Sequence, residues 1–190
     1  MGKLISLIHV SLDGYMADPD GQINWIKMDE ELNRYVTELR RDAAGTVYGR
    51  TTYQIMESYW PGVLKNPGSG PKWQHDYAEW VDKAVKVVVS KTLTGVSWNN
   101  TRLISDHVGE EIGRVKQEVK GDLLLLASAT LAGTLMPLGL IDELVVTVNP
   151  IVLGAGKAFF MGLPDKMPLK LLETRKFNSG VVGLHYTTRV

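Results

Sequence analysis

The sequence predicts an α/β fold, a three-layer sandwich whose mostly parallel, mixed sheet ends in an antiparallel hairpin. Runs rich in valine, isoleucine and leucine alternate with segments of helical periodicity. Some runs are apolar at consecutive positions, as in Leu123 to Leu126, which is typical of strands covered by helices on both faces. The last two runs flank Asn178-Ser179-Gly180, which favours a hairpin turn.

The predicted strands are short aliphatic runs bounded by turn or polar residues. They are Lys3–Val10, Gly45–Gly49, Ala84–Ser90, Thr101–Ile104, Asp122–Ala127, Glu143–Asn149, Leu169–Lys176 and Val181–Thr188.

The predicted helices show apolar residues at a spacing of three and four. They carry the apolar sets Leu32, Tyr35, Val36 and Leu39, then Val108, Ile112, Val115 and Val119, then Leu131, Leu135 and Leu138. Ser105 or Asp106 is expected to cap the second helix, and Ser128 or Thr130 to begin the third. Pro61 to Pro71 holds three prolines and three glycines, and we expect a long surface loop there.

Composition excludes several classes of function. The 190 residues predict one domain, 1–190, and 21 basic against 21 acidic residues give no electrostatic reason to bind nucleic acid. With no cysteine there is no thiol nucleophile, disulfide or cysteine-based metal site, and the four histidines lack the spacing of metal ligands. No signal-peptide pattern or apolar run of about 18 residues is present, so we expect a cytoplasmic protein without a membrane partner.

In α/β sheets, ligands bind beyond the carboxyl ends of the strands, and three predicted strand ends carry suitable residues. They are Gly49-Arg50-Thr51-Thr52, Ser90-Lys91-Thr92 and Ala127-Ser128-Ala129-Thr130-Leu131. Each is also compatible with an ordinary helix start or a solvated strand end. Together, two cationic ends and one small-residue helix start suggest a phosphorylated ligand, and a dinucleotide would fit. None matches a Rossmann or P-loop motif, nor does Gly154-Ala155-Gly156-Lys157.

The loop after the first strand, residues 11–25, is long and contains Asp13-Gly14 and Pro19-Asp20-Gly21. These are turn formers, so the loop is either two surface turns or a flap over a planar ligand.

In this order, the strand ends resemble those of the dihydrofolate reductase-like superfamily. The similarity is greatest to the branch that includes the reductase domain of the bifunctional riboflavin-biosynthesis deaminase-reductase. It rests on SLIHVSLDGYMADPDGQINW (6–25), VYGRTTYQIMESYWP (47–61), KVVVSKTL (86–93), residues 123–160 and FNSGVVGLHYTTR (177–189). The resemblance implies a dihydrofolate reductase-like fold over nearly the whole chain.

The resemblance also implies NADPH as cofactor. It places the nicotinamide near Val10, Ala17 and Ile23, and the adenosine 2′-phosphate near Arg50, Ser90 and Lys91. The pyrophosphate would lie between two segments. One contains Gly49 and Thr52, and the other is formed by Ala127, Ser128, Ala129, Thr130 and Leu131.

For the substrate, the resemblance points to Ile8, His9, Trp25 and Trp60. His9 either faces the substrate pocket or is a core or strand-end histidine. Trp60 either walls a planar substrate together with Trp73 or belongs to the core. Glu30 matches the pterin-binding carboxylate and is the candidate catalytic residue, although with Asp29 it also suits a plain helix N-terminus.

The chain departs from dihydrofolate reductases at two places. Ala127-Ser128 stands where they carry a glycine pair, and Asn24 stands where they have a proline before the flap tryptophan. The second difference argues against folate as the substrate.

Two hypotheses follow. The first is an NADPH-dependent reductase of a small heterocyclic or carbonyl/imine substrate, similar to the 5-amino-6-(5-phosphoribosylamino)uracil reductase domain. The second is a non-catalytic nucleotide-binding or oligomerising module that keeps the fold. The resemblance makes a homodimer plausible in either case.

Overall fold

The computed structural model describes residues 1–66, 68, 70–161, 163 and 165–190. Its helices are α1 (Glu30–Arg41), α2 (Arg50–Lys65), α3 (Lys72–Lys83), α4 (Val108–Glu118) and α5 (Ala129–Leu135). Its strands are β1 (Leu4–Ser11), β2 (Tyr15–Ala17), β3 (Ala43–Gly49), β4 (Val85–Val89), β5 (Thr101–Ile104), β6 (Asp122–Leu126), β7 (Glu143–Asn149), β8 (Lys157–Ala158), β9 (Lys170–Lys176) and β10 (Val182–Thr187). Among the described residues, no helix has the length and apolar character needed to cross a membrane.

The main sheet has eight strands in the order β5-β4-β3-β6-β1-β7-β10-β9. Its first six strands are parallel, and β10 and β9 form an antiparallel hairpin against β7. The predicted mixed sheet with a closing hairpin is therefore confirmed. Since the six parallel strands share one direction, all their carboxyl ends lie along one edge of the sheet.

Helices cover both faces of the sheet, which explains the continuous apolar runs. On one face Leu123 and Leu125 of β6 pack with Ile112 of α4 and Leu135 of α5. On the opposite face Leu124 packs with the buried side chains of α1. Helices α2 and α3 cover the same opposite face farther along, over β3 and β4. We call the two sides the α4 face and the α1 face.

The predicted loop from Pro61 to Pro71 is wrong at its beginning, because α2 continues through Pro61 to Lys65. Pro61 cannot donate to the carbonyl four residues earlier, but its fixed φ suits a helix. Packing stabilises this last turn: Val63 is buried, and the ring of Trp60 lies 4.2 Å from that of Tyr77 on α3. Within the predicted loop, Pro67 and Ser69 lie outside the described residues.

Three local features differ from the sequence-based expectation. Helix α3 was not predicted, because its buried face consists of Tyr77, Ala78 and Val81 rather than an aliphatic stripe. Strands β2 and β8, of three and two residues, are too short to show a period. The N-cap of α4 is His107, without a side-chain bond, so neither Ser105 nor Asp106 caps it. The Ser105 hydroxyl donates to the Asp106 carboxylate instead, 3.3 Å away.

At the opposite edge of the sheet, a buried carboxylate joins four parts of the chain. Asp142 accepts hydrogen bonds from Leu4 N at 2.7 Å, from Lys116 Nζ on α4 at 2.5 Å and from Arg189 near the C-terminus. The side chains of Asp142 and Lys116 are 4% and 3% exposed. Burial alone would raise the pKa of Asp142, but the bonds from Lys116 and Leu4 outweigh it, so the pKa lies below its usual value.

Replacing Asp142 by Asn should therefore destabilise the fold, because it leaves the Lys116 ammonium buried without a counter-charge. We expect a loss of about 3 kcal/mol in the free energy of unfolding, measured by urea denaturation at pH 7. The difference from the parent should shrink in acid, since a carboxyl with a lowered folded pKa stabilises only while it is ionised. Asp76→Asn, which breaks the exposed Lys72–Asp76 pair, is the matched control and should change stability little. Equal losses in the two variants would contradict this account.

Candidate functional site

The parallel part of the sheet opens at its carboxyl edge between β1 and β3. Pairing of β6 with β1 ends at Leu7↔Leu126, whereas pairing of β1 with β7 continues to Ser11↔Asn149. On the other side of β6, β3 runs on to Gly49, paired with Val89 of β4. The early end of β6 thus leaves a notch between the ends of β1 and β3, which we call the β6 notch.

The backbone of His9 faces the β6 notch. Backbone groups of successive residues in a parallel strand point alternately to its two neighbours. Leu7 O accepts from Ala127 N on the β6 side, and Leu4 O accepts from Asp142 N on the β7 side. Odd-numbered residues of β1 therefore point toward β6. The β1–β6 ladder ends at Leu7↔Leu126, and no turn or loop bond to the N–H or C=O of His9 is found among the described residues, so one donor and one acceptor are open in the notch.

The turn that ends β6 has an uncommon backbone. Ala127 and Ser128 both have positive φ, +53° and +65°, a region that costs side-chain-bearing residues about 1–3 kcal/mol. This turn leads the chain directly into α5. Across the notch, Gly49 leaves room for the Ser128 side chain, because a Cβ on Gly49 would lie 2.5 Å from Ser128 Oγ.

The two cationic strand ends, which follow β3 and β4, meet because these strands are adjacent and parallel. Arg50, the first residue of α2, donates from Nη1 to Thr92 Oγ1 at 2.7 Å. Thr92 follows Lys91, and the side chains of Arg50 and Lys91 are both exposed. The buried Ser90 hydroxyl accepts from the N–H groups of Thr92 and Leu93, at 3.2 and 3.0 Å, and so shapes this turn. The result is a small cationic surface at the ends of β3 and β4.

Free hydroxyl and backbone N–H donors line the edge between this surface and the β6 notch. Helix α2 has Gly49 as its N-cap and no side-chain cap, so its first N–H groups are available. Among the described residues, the hydroxyls of Thr52, Ser128 and Thr130 have no hydrogen-bond partner. Ser128 and Ala129 are half-buried and Thr130 is exposed, while Leu131 packs into the core. These groups are chemically suited to phosphate oxygens.

The imidazole of His9 lies on the α1 face. Its Nδ1 forms a hydrogen bond with Oγ1 of Thr147, the residue paired with it on β7. Thr147 is fully buried, and His9 is partly exposed. Burial lowers the pKa of His9 to about 4, because the charged form would lose hydration. His9 is therefore a neutral imidazole at pH 7.

A buried amide secures the segment that leads to α1. Asn149, at the end of β7, accepts from Lys27 N at 2.9 Å and donates to Val10 O at 3.4 Å. Asp29 then caps α1, accepting from Leu32 N at 2.7 Å and from Ser179 N at 2.9 Å. These bonds hold residues 27–29 across the end of β7, next to the Thr147–His9 pair.

The loop after β1 is fastened to the connection between β7 and β8. Asp13 accepts from Ser11 Oγ, Leu153 N and Gly154 N, at 2.6, 3.1 and 2.7 Å. The hydrogen bond from Ser11, with smaller effects from those of Gly154 N and Leu153 N, holds the pKa of Asp13 below its usual value. Beyond it, β2 pairs with β8, where a Cβ on Gly156 would meet Ala17 O at 2.2 Å. We call β2, β8 and their connections to β1 and β7 the flap.

The remaining sequence-predicted residues lie at different depths around this edge. Ile8 and Val10 are buried on the α4 face, opposite the His9 side chain. Ala17 is buried at the end of β2, and Ile23 beyond it is 58% exposed. Trp25 is half-buried, and its Nε1 donates to Gln22 O at 3.2 Å.

Trp60 and Glu30 lie in other parts of the structure and do not take part in the His9–Thr147 hydrogen bond. Trp60 packs between Tyr59 and Tyr77, with its Nε1 3.2 Å from Met56 Sδ, in the cluster between α2 and α3. Glu30 is the exposed first residue of α1, beside the capping Asp29. It lines a surface pocket with Glu31, Arg34 and Asn178.

The sequence-based predictions missed Thr147 and Asn149, and they favoured a turn role for Asp13. Thr147 and Asn149 alternate with valines at the end of a buried strand. Polar residues at alternate positions of an otherwise apolar run are a signal that could have identified them. Asp13 accepts a hydrogen bond from Gly154 N, 141 residues along the chain, and no local sequence pattern predicts such a contact.

Comparison with known proteins agrees with this architecture. The model of the RibD C-terminal domain family matches residues 2–183. The uncharacterized protein YyaP of Bacillus subtilis (strain 168) is 30% identical over 184 residues, covering 97% of this chain and 94% of YyaP.

Two solved structures share the fold. A putative riboflavin biosynthesis protein from Shewanella sp. PV-4 superposes with a TM-score of 0.76 at 21% identity, over 97% of this chain and 98% of that one. Dihydrofolate reductase from Enterococcus faecalis, complexed with NADP(H), superposes with a TM-score of 0.63 at 14% identity, over 98% and 96%. At these identities the likeness concerns the fold alone, and it confirms the predicted dihydrofolate reductase-like architecture.

Ala127→Gly should stabilise the protein by about 1 kcal/mol, because glycine adopts the positive φ of this turn without strain. Urea denaturation measures the change. Ala129→Gly is the matched control, since Ala129 begins α5 and glycine there gains nothing. A loss of stability in both variants would contradict the assignment of strain to residue 127.

Asp13→Ala should loosen the flap without unfolding the sheet. We expect faster amide hydrogen exchange at residues 15–17 and 153–158 and little change in β6 or β7. Asp18→Ala is the control, because Asp18 Oδ1 accepts from Gln22 N within its own turn and, in the described part of the chain, its carboxylate makes no bond to the β7–β8 connection. If Asp18→Ala raised the exchange rates of residues 153–158 as much as Asp13→Ala, Asp13 would not be the residue that holds the flap.

Proposed function

Because the chain belongs to the RibD C-terminal domain family, we propose that it is an NADPH-dependent reductase of a small heterocyclic, carbonyl or imine substrate. The observation that carries the proposal is the β6 notch. It provides open backbone groups at one end and phosphate-binding groups at the other, along a single edge of the sheet. An extended dinucleotide needs sites of both kinds.

The 2′-phosphate of the adenosine is assigned to the cationic surface. Arg50 and Lys91 supply the charge, and the Thr92 hydroxyl, which accepts from Arg50, fixes the direction of the guanidinium. Ser90 supports the turn that presents Lys91. A guanidinium can donate two parallel bonds to a phosphate, which NADH lacks at this position.

The pyrophosphate is assigned to the edge between Gly49 and the turn at Ala127–Ser128. Thr52 and the open N–H groups of α2 would bind it from one side. Ser128, Ala129, Thr130 and the backbone leading to Leu131 would bind it from the other. The strained turn keeps the Ser128 side chain near Gly49, so the Ser128 side of the proposed pyrophosphate site is formed before a ligand binds.

The nicotinamide is assigned to the β6 notch, near Val10, beneath the flap residue Ala17 and near Ile23, which follows the flap. The open N–H and C=O of His9 match the acceptor and donors of a carboxamide. When bound, NADPH supplies the hydride. The chain's own part is to orient the ring, exclude water with the flap and hold the substrate.

The substrate is assigned to the α1 face, where His9 and Trp25 stand at the end of β1. Ile8, whose side chain is buried on the opposite α4 face, would support the site only through the packing of β1, and Trp60 would support α2 from its far side. Glu30 or a water molecule would supply the proton. We also expect the protein to form a homodimer, as the family resemblance implies.

Arg50→Ala tests the cofactor assignment. It should weaken NADPH binding by about 10- to 100-fold, since a charged hydrogen bond contributes about 1.5–3 kcal/mol, and leave NADH binding nearly unchanged. Energy transfer from tryptophan to the reduced nicotinamide measures both affinities. Lys65→Ala, at the far end of α2, removes the same charge and should change neither affinity.

Equal losses for NADPH and NADH would contradict the 2′-phosphate assignment. If the parent protein bound neither nucleotide, the proposal would fail, and the alternative of a non-catalytic module would stand.

A further inference from the structure

The hydrogen bonds of His9 leave one ring nitrogen open. Nδ1 is engaged by Thr147 Oγ1. In the described part of the chain Nε2 has no partner, and it is not among the buried polar atoms that lack one. Since His9 is partly exposed, Nε2 is the atom that a bound molecule could reach.

The surroundings of Thr147 decide which ring nitrogen carries the proton. Thr147 is fully buried, and its hydroxyl hydrogen needs an acceptor. Among the described residues, the only acceptor bonded to that hydroxyl is His9 Nδ1. The hydroxyl therefore donates to Nδ1, and the ring proton of the neutral imidazole lies on Nε2.

The charge state supports the same conclusion. The pKa of His9 is lowered by burial, and among the described residues no carboxylate bonds the ring to favour the imidazolium. The neutral ring presents Nε2–H as a fixed donor, since the opposite tautomer would leave the Thr147 hydroxyl hydrogen without a partner. Loss of a partner for a buried hydroxyl costs about 1–3 kcal/mol.

We propose that His9, oriented by Thr147, presents Nε2–H as the donor that selects substrates carrying a hydrogen-bond acceptor, a carbonyl oxygen or a ring nitrogen. This inference rests on the proposed reductase function, and it names the chemical class of the substrate. An oxo- or aza-heterocycle satisfies the donor. A ring that places an amino group or a C–H at that position leaves the donor unpaired and is rejected.

The position of His9 on β1 places the proposed Nε2 contact beside the assigned nicotinamide position. In a strand, backbone groups lie in the sheet and side chains stand perpendicular to it. The backbone of His9 faces the β6 notch, while its imidazole faces the α1 side. The same residue therefore contacts the assigned nicotinamide position through its backbone and the substrate through its ring. A substrate held by Nε2 is thereby placed next to the hydride donor.

Nitrogen NMR of ¹⁵N-histidine-labelled protein tests the tautomer directly, without a substrate. We expect His9 to carry its proton on Nε2 at pH 7 and to stay neutral down to about pH 5. Thr147→Val should remove this preference, and Thr147→Ser, which keeps the hydroxyl, should restore it. A His9 that is protonated on Nδ1, or charged at pH 7, would overturn the proposal.

Two probes of equal shape test the selection. Quinoline has a ring nitrogen acceptor, and naphthalene has none. In the NADPH-loaded protein, quinoline should bind about tenfold more tightly than naphthalene and shift the His9 Nε2 signal. His9→Ala should abolish the difference, and His9→Gln, whose side-chain amide keeps a neutral donor, should recover part of it. If quinoline neither shifts Nε2 nor binds more tightly than naphthalene, the proposal is wrong.

The same samples separate this inference from the proposed function. NADPH affinity is measured on the parent, and each His9 and Thr147 variant is loaded with saturating NADPH before the probes are added. Normal NADPH binding with no preference for quinoline would refute the role of His9 alone. Loss of NADPH binding in the parent would refute the proposed reductase function.

Discussion

The candidate site depends on one constraint, the early end of β6. The strand leaves the sheet after Leu126 while its neighbours β1 and β3 continue, and Ala127 and Ser128 make the turn with positive φ. A sheet normally satisfies every backbone group of an inner strand. Here the departure of β6 leaves the N–H and C=O of His9 open in a deeply covered sheet, which costs free energy unless water or a ligand bonds them. The rest of the edge is arranged around that opening: cations at the ends of β3 and β4 on one side, and the flap on the other.

The two ends of the parallel strands carry different kinds of charged groups. At the amino-terminal edge, Asp142 and Lys116 form a buried pair that ties β1, α4 and the C-terminus together. At the carboxyl edge, the charges of Arg50 and Lys91 are exposed, and the His9 imidazole beside the notch is neutral. This division suits a site whose cofactor brings its own negative charge and whose substrate would meet uncharged donors. Asp13 fastens the loop after β1 to the connection between β7 and β8, and its carboxylate is occupied by these bonds.

Much of this arrangement could be predicted from the sequence. Buried parallel strands give long apolar runs, so all eight strands of the main sheet were predicted, and the strand ends pointed to Arg50, Lys91 and Ser128. The prediction failed where tertiary packing decides. Packing against α3 carries α2 through Pro61, and the two-residue β8 exists only because β2 lies beside it. Thr147 gains its role from a cross-strand neighbour 138 residues away, and no local pattern encodes that pairing.

Amide hydrogen exchange, measured with and without saturating NADPH, shows whether the β6 notch holds the cofactor. We expect slower exchange at the amide of His9, at residues 50–52 and at 127–131, and unchanged exchange at the edge strand β9. Because the His9 amide has no partner in the sheet, its protection would report a ligand inside the β6 notch. NADPH binding that leaves the His9 amide unprotected, or that protects a different part of the fold, would contradict the account.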